Sequence, residues 1–157
     1  MAVQLAKRFG AEATAVDSGP KLDILRSLGA DSVIDYTRED FTKSGERFDI
    51  IIDVVGKAPI FRSTKLLNDD GIFVLGNLTF SKIIGGKWSS WRSRRKLERE
   101  SSDYKSEDLN YLKELIEDGA IRSVIDRRYP VEEIVEAHRY IETGQKIGNV
   151  VIVVDHA

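Results

Sequence analysis

Apolar positions along this chain fall into two rhythms. One is the short, nearly continuous apolar run. Residues 13–16, 32–35, 49–55, 72–75 and 150–154 hold such runs, and each predicts a strand, buried at 13–16 and 72–75. The other is helical spacing. Val3, Leu5, Ala6 and Phe9 make an apolar stripe, and so do Leu22, Leu25 and Leu28. A helix is expected from about Pro59 to Leu67, another through Leu109, Leu112, Leu115 and Ile116, and a last one through Val131, Ile134, Val135, His138 and Ile141. Gly10, Gly29, Gly119 and Gly144 stand where these helices should stop. Ser18-Gly19-Pro20 reads as a turn that leads into a helix, and Asn68 to Gly71 as a second turn. The run at 49–55 is the most continuous, so both of its faces are expected to be covered.

Strands that alternate with helices of about ten residues imply βαβ units. The expected class is α/β: a doubly wound parallel sheet with helices on both faces. The whole chain, 1–157, reads as one domain without internal repeats. One stretch breaks the rhythm. Residues 81–108 hold Trp88, Trp91 and the basic run Arg92, Arg94, Arg95 and Lys96, with little apolar periodicity. The part from Arg92 to Asp108 is too polar for a buried strand and is expected as a helix, a loop or an exposed edge.

Composition narrows the chemistry. A chain of 157 residues with 41% hydrophobic and 32% charged residues builds an ordinary core without staples. It has no cysteine, which excludes disulfides, thiolate metal sites and a cysteine nucleophile. His138 and His156 are its two histidines, so a histidine zinc site is not expected. The net charge of -2 speaks against nucleic acid as a partner, and the basic cluster from Arg92 to Arg99 reads as a solvated face. No apolar run reaches the roughly 20 residues that span a bilayer, and the N-terminus has no signal-peptide pattern, so neither a membrane nor export is expected and cytoplasmic residence is.

In sheets of this class the ligand lies beyond the carboxyl ends of the strands. Those ends are Asp17-Ser18, Asp35-Tyr36, Val55-Gly56 and Gly76-Asn77. An acid at the end of such a strand accepts hydrogen bonds from the two hydroxyls of an adenosine ribose, the role open to Asp17; Ser18 and Lys21 beside it suit a 2′-phosphate instead. Each position also has a plainer reading. Asp17 is a good turn former, Lys21 a surface cation, Tyr36 a packing aromatic, and Gly56, Gly76 and Asn77 are turn residues.

The run Ala2 to Lys7 followed by Gly10-Ala11 resembles the first helix of the cofactor domain in the medium-chain dehydrogenase/reductase superfamily. So do, in order, Leu28 to Asp31 with Val33 to Tyr36, Phe48 to Gly56, Gly71 to Asn77, Tyr129-Pro130, Glu136 to His138, and Gly148 to Ile152. The branch it resembles most is that of the zinc-independent, quinone-oxidoreductase-like enzymes. The resemblance implies a Rossmann-like fold and a nicotinamide dinucleotide, NAD or NADP, held by Asp17, Ser18, Lys21, Tyr36, Val55, Gly56, Gly76 and Asn77. In that family the position of Tyr36 flanks the adenosine phosphate, and Asn77 follows a strand end beside the nicotinamide. Asp17 leans toward NAD and Ser18, Lys21 and Tyr36 toward NADP, and the sequence leaves the choice open.

The family pattern also places a strand, a glycine-rich phosphate loop and a substrate domain ahead of the first helix. The expectation is therefore a sheet lacking its first strand, with the gap closed directly or repaired by another chain through exposed sheet edges, giving a homo-oligomer. No catalytic residue and no metal ligand is expected, since in this family the cofactor carries the hydride chemistry. The first reading is the cofactor domain of an oxidoreductase that reduces a quinone, enone or carbonyl, with little catalysis of its own. The alternatives are a nucleotide-binding or an oligomerising module without catalysis.

Overall fold

A computed structural model describes residues 1–76, the backbone of 96–99, and residues 105–154. Asn77, the tryptophans, His156 and the basic run from Arg92 to Arg95 lie outside these residues. Every strand ladder among the described residues is parallel, and the class is α/β, as the alternation of elements predicts. The chain divides into two compact units, residues 1–39 with 105–157, and residues 40–104.

In the first unit, α1 (Ala2–Arg8) leads to β1 (Thr14–Asp17), and a 3-10 turn (Gly19–Lys21) runs into α2 (Leu22–Ser27). Pro20 lies in that turn, where its fixed φ and missing N–H cost nothing. β2 (Ser32–Asp35) then pairs with β1 in register, Thr14 beside Ser32 through Asp17 beside Asp35. Later in the chain come α4 (Ser106–Glu117), β6 (Ile125–Pro130), a 3-10 turn (Val131–Glu133), α5 (Ile134–Glu142) and β7 (Asn149–Val153), with β6 parallel to β7. The N–H of Lys105 donates to Asp108 Oδ2 at 3.4 Å and closes the start of α4. The predicted glycine stops all hold, with Gly10, Gly29, Gly119 and Gly144 at positive φ.

The second unit holds β3 (Phe48–Asp53), α3 (Ile60–Ser63) and its 3-10 extension (Thr64–Leu66), β4 (Leu67–Leu75) and β5 (Lys96–Arg99), in the order β3-β4-β5. Its core is Ile60, Leu67, Phe73 and Leu75, with Ile51 and Ala58 packed against them. Phe73 and Leu67 are fully buried. Among the described residues β5 pairs with β4 alone, so this polar stretch, expected as a helix, a loop or an exposed edge, holds a strand at the edge of its sheet.

Several expectations need correction. The helix read over residues 59–67 is one α turn and a 3-10 turn, and β4 starts at Leu67, before the expected turn at 68–71. Leu67 already pairs with Phe48, and Asn68 Nδ2 donates to Asp49 Oδ1 at 2.8 Å; the turn survives inside the strand as a register shift, with Asp70 at φ 65. The strand read over 49–55 ends at Asp53, because that carboxylate accepts from the amides of Gly56 and Ala58 at 2.8 and 2.9 Å and bends the chain. It is covered on one face, not both: Ile51 faces the core while Ile50 and Ile52 stand 56% and 54% exposed. Phe9 and His138, read as members of apolar faces, are exposed, and Ala137 is the buried residue of α5. β6 had no sequence prediction. Among the described residues β1 pairs with β2 alone, and β3 with β4 alone. No helix among them is long and apolar enough to cross a membrane.

Candidate functional site

Three strands end on an aspartate: Asp17 on β1 and Asp35 on β2 in the first unit, and Asp53 on β3 in the second. A carboxylate at this place has two uses. It can fold back on the amides of its own loop, or it can stay open to a ligand. The structure separates the two cases by burial and by bonds already made.

Asp35 is buried and committed. It accepts from Thr37 Oγ1 at 2.6 Å and from the Thr37 N–H at 2.9 Å, and Arg38 Nε stands 3.5 Å away. These bonds, Thr37 first, with a further one from the Gly19 amide, hold its carboxyl below the usual carboxylate range. The Gly19 contact matters for the site. It ties the end of β2 to the turn after β1, and a Cβ on Gly19 would lie only 2.9 Å from Asp35 Oδ2. Asp53 is likewise buried and gathers the amides of its own loop.

Asp17 is the open one. Its side chain keeps 34% of its exposure. It accepts from the Ser18 N–H at 2.8 Å, and Lys21 Nζ lies 3.4 Å from the same oxygen, Oδ1. Its own carbonyl accepts from the Tyr36 N–H at 3.2 Å, which fixes Tyr36 next to it. The Tyr36 ring is exposed. Thus Asp17, Ser18, Lys21 and Tyr36 come together in the first unit, on two adjacent strand ends and one turn.

Asp17 and Lys21 line a cavity of about 240 Å³. Ile24, Leu25 and Leu28 on and after α2 give it an apolar side. Its opposite wall comes from the far half of the chain, at Arg122 to Val124 and Ile147 to Asn149. No local pattern in the sequence hints at this wall. The link is the buried Gln4 of α1, whose side-chain Nε2 donates to the Arg122 carbonyl at 3.1 Å while its Oε1 accepts from the Arg122 N–H at 2.9 Å. A side-chain amide pairs there as a strand would.

The other residues expected to bind lie in the second unit. Val55 is exposed just beyond β3, and Gly56 follows at φ 74. Gly76 follows β4, and its N–H donates to the Asp53 carbonyl at 3.0 Å. Those three surround the Asp53 loop; Asn77 is outside the described residues.

Metal donors are scarce. No three His, Cys, Asp or Glu among the described residues gather into a set that could hold a metal ion, and the chain has no cysteine. Among the described residues no donor set suits a zinc ion.

Residues 28–152 match a family model described as zinc-binding dehydrogenase. Among curated proteins, 2-methylene-furan-3-one reductase of Solanum lycopersicum is 35% identical over 156 residues, covering 97% of this chain and 36% of that protein. A chloroplastic NADPH-dependent alkenal/one oxidoreductase of Arabidopsis thaliana is 30% identical, covering 97% of this chain and 36% of its own length. The solved quinone oxidoreductase of Coxiella burnetii superposes with a TM-score of 0.84 at 29% identity, over 98% of this chain and 48% of that one. The chain therefore spans half or less of the length of these relatives.

Proposed function

The chain belongs to the zinc-binding dehydrogenase family, and from that premise we propose that it is the cofactor-binding part of an NAD(P)H-dependent oxidoreductase that reduces a quinone, an enone or a related carbonyl. The observation that carries this reading is the state of Asp17. It is the one strand-end aspartate of the three that stays half-exposed, and it lines a cavity together with a lysine.

The residues fit a dinucleotide in the following way. The free acceptor capacity of Asp17 takes the hydroxyls of the adenosine ribose. Lys21 and the Ser18 hydroxyl offer donors to a phosphate, and the exposed Tyr36 ring flanks it. Val55, Gly56 and Gly76 are a separate group in the second unit, where Gly56 leaves backbone without bulk for a ligand. A nicotinamide dinucleotide, once bound, supplies the hydride. The chain's own residues bind and orient it. The acceptor class follows the relatives, which include a furanone reductase, an alkenal/one oxidoreductase and a quinone oxidoreductase.

Isothermal titration of the chain with NADH and with NADPH tests the reading. Micromolar binding of either supports it, and no heat with either up to millimolar ligand overturns it. A second reading, association of copies through strand edges, is favoured by the single described neighbour of β1. Light scattering checks it: a dimer whose mass is unaffected by nucleotide is the expected result, and a monomer at all concentrations excludes it.

A further inference from the structure

We propose that Asp70-Gly71 is a covalent modification site: the Asp70 side chain closes on the Gly71 nitrogen and reopens as isoaspartate, at a place where the fold admits the change. The site lies in the second unit and does not depend on the dinucleotide reading.

The chain holds two Asp-Gly pairs, Asp70-Gly71 and Asp118-Gly119. A glycine after an aspartate leaves the backbone nitrogen without a side chain to shield it. Both aspartates are exposed to water. Neither sequence nor exposure separates the two pairs, so the backbone decides between them.

Asp118 is the C-cap of α4, at φ -75 and ψ -4. Its N–H donates to the Glu114 carbonyl at 2.9 Å, and the Gly119 N–H donates to the Ile116 carbonyl at 3.1 Å. Ring closure there takes a nitrogen that the helix end already uses. Asp70 stands instead at φ 65, the one non-glycine residue at positive φ among the described residues. That region crowds an L side chain against its own backbone. Phe48 pairs with Leu67 and Ile50 with Ile72, so residues 68–71 of β4 lie outside the paired positions, opposite Asp49. The Asp70 carboxylate has no hydrogen-bond or ion-pair partner among the described residues. Glycine is obligatory beside it, because a Cβ on residue 71 would lie 3.0 Å from the Asn68 carbonyl oxygen and 3.0 Å from Leu67 Cβ. Packing thus keeps an unshielded nitrogen next to an unrestrained carboxylate.

The reaction balances with water alone. The Gly71 nitrogen bonds to Asp70 Cγ and gives up its proton, a carboxyl oxygen leaves as water, and a five-membered succinimide remains. Water then adds to one of the two ring carbonyls. Opening at Cγ restores aspartate. Opening at the main-chain carbonyl leaves the chain running through Cγ, with the former main-chain carbonyl as a free carboxylate. The backbone gains one carbon where β4 already carries unpaired residues, so the ladder from Ile72 to Leu75 and the buried Phe73 keep their places.

The test is ageing of the full chain at neutral pH, in buffer and in urea. Isoaspartate is then located by tryptic mapping with electron-transfer fragmentation, and by methyl labelling with a protein isoaspartate methyltransferase and S-adenosylmethionine. Residues 66–82 and 114–122 fall on separate tryptic peptides, so the two sites are read independently. In buffer, isoaspartate should form about tenfold faster at 70 than at 118, the scale of the helix-end hydrogen bond that closure at Gly119 gives up. In urea the two rates should converge, and the chain aged in buffer should keep its circular dichroism. Asp70→Glu, whose longer side chain would have to close a six-membered ring, should lose the label from the first peptide. Equal rates in buffer, or a faster Asp118, would overturn the part given to the backbone. An Asp70 that converts in urea and not in buffer would overturn the site itself.

Discussion

Lys21 Nζ lies 3.4 Å from Asp17 Oδ1, one helical turn along the chain, at the mouth of the cavity. The pair is partly exposed, so it adds little to stability. Its consequence is electrostatic. An aspartate at this strand end would by itself repel a ribose phosphate, and the lysine answers that charge. Lys21→Ala should therefore lower NADPH affinity about tenfold, the scale of one charged hydrogen bond, and leave NADH little changed. Asp17→Ala should instead weaken NADH. Titration of nucleotide fluorescence checks both variants.

The turn that carries Ser18 and Lys21 is held from behind by Asp35. A Cβ on Gly19 would lie 2.9 Å from Asp35 Oδ2 and push the carboxylate away from the turn. Gly19→Ala is expected to lower the melting temperature by several degrees and to weaken nucleotide binding, although residue 19 itself has no ligand role. A variant with wild-type melting and affinity would show that this contact positions nothing.

In the second half of the chain, α5 is locked to β6 by Tyr140 Oη, which donates to Asp126 Oδ2 at 2.7 Å. The Arg127 guanidinium lies 3.7 Å over the Tyr140 ring. The Ile147 amide, then the Tyr140 hydroxyl, holds Asp126 below the usual carboxylate range, and Asp126 in turn raises Tyr140. A lowered carboxylate stabilises the fold above the unfolded value of about 3.9, and that contribution is lost as pH falls through the folded value. The raised tyrosine contributes below the unfolded value of about 10 and loses its share as pH rises through the folded one. Tyr140→Phe should flatten the alkaline side of a plot of melting temperature against pH and leave an acid limb, since the Ile147 amide still serves Asp126. An unchanged alkaline side would contradict this account of the lock.

Phe73 is fully buried among Ile60, Leu67 and Leu75 in the second unit. Phe73→Ala should cost about 3–5 kcal/mol, read as a lowered urea midpoint. A loss below 1 kcal/mol, well under the range for such truncations, would mean that this cluster is not the core of its unit.

What the sequence made legible follows from how local each signal is. Asp17 was legible because it ends an apolar run and precedes a Ser-Gly-Pro turn. The glycine stops were legible because left-handed φ is a local demand. β6 was not. Ile125-Asp126-Arg127-Arg128-Tyr129-Pro130 has no apolar run, and its place depends on Tyr140 and on β7, later in the chain. The break in β3 at Asp53 was hidden because Val54 and Val55 continue the apolar run, while the bend comes from a carboxylate folding onto amides. Arg122 could not be found by pattern, since it reaches the site through a pairing with Gln4 118 residues away.

The central claim is that the nucleotide site lies at the ends of β1 and β2. The most direct test is a ¹⁵N–¹H correlation spectrum of the chain titrated with NADPH. The account predicts saturable shifts at the amides of Ser18, Lys21 and Tyr36. Saturating NADPH that leaves those amides in place, or shifts residues only elsewhere, would contradict it.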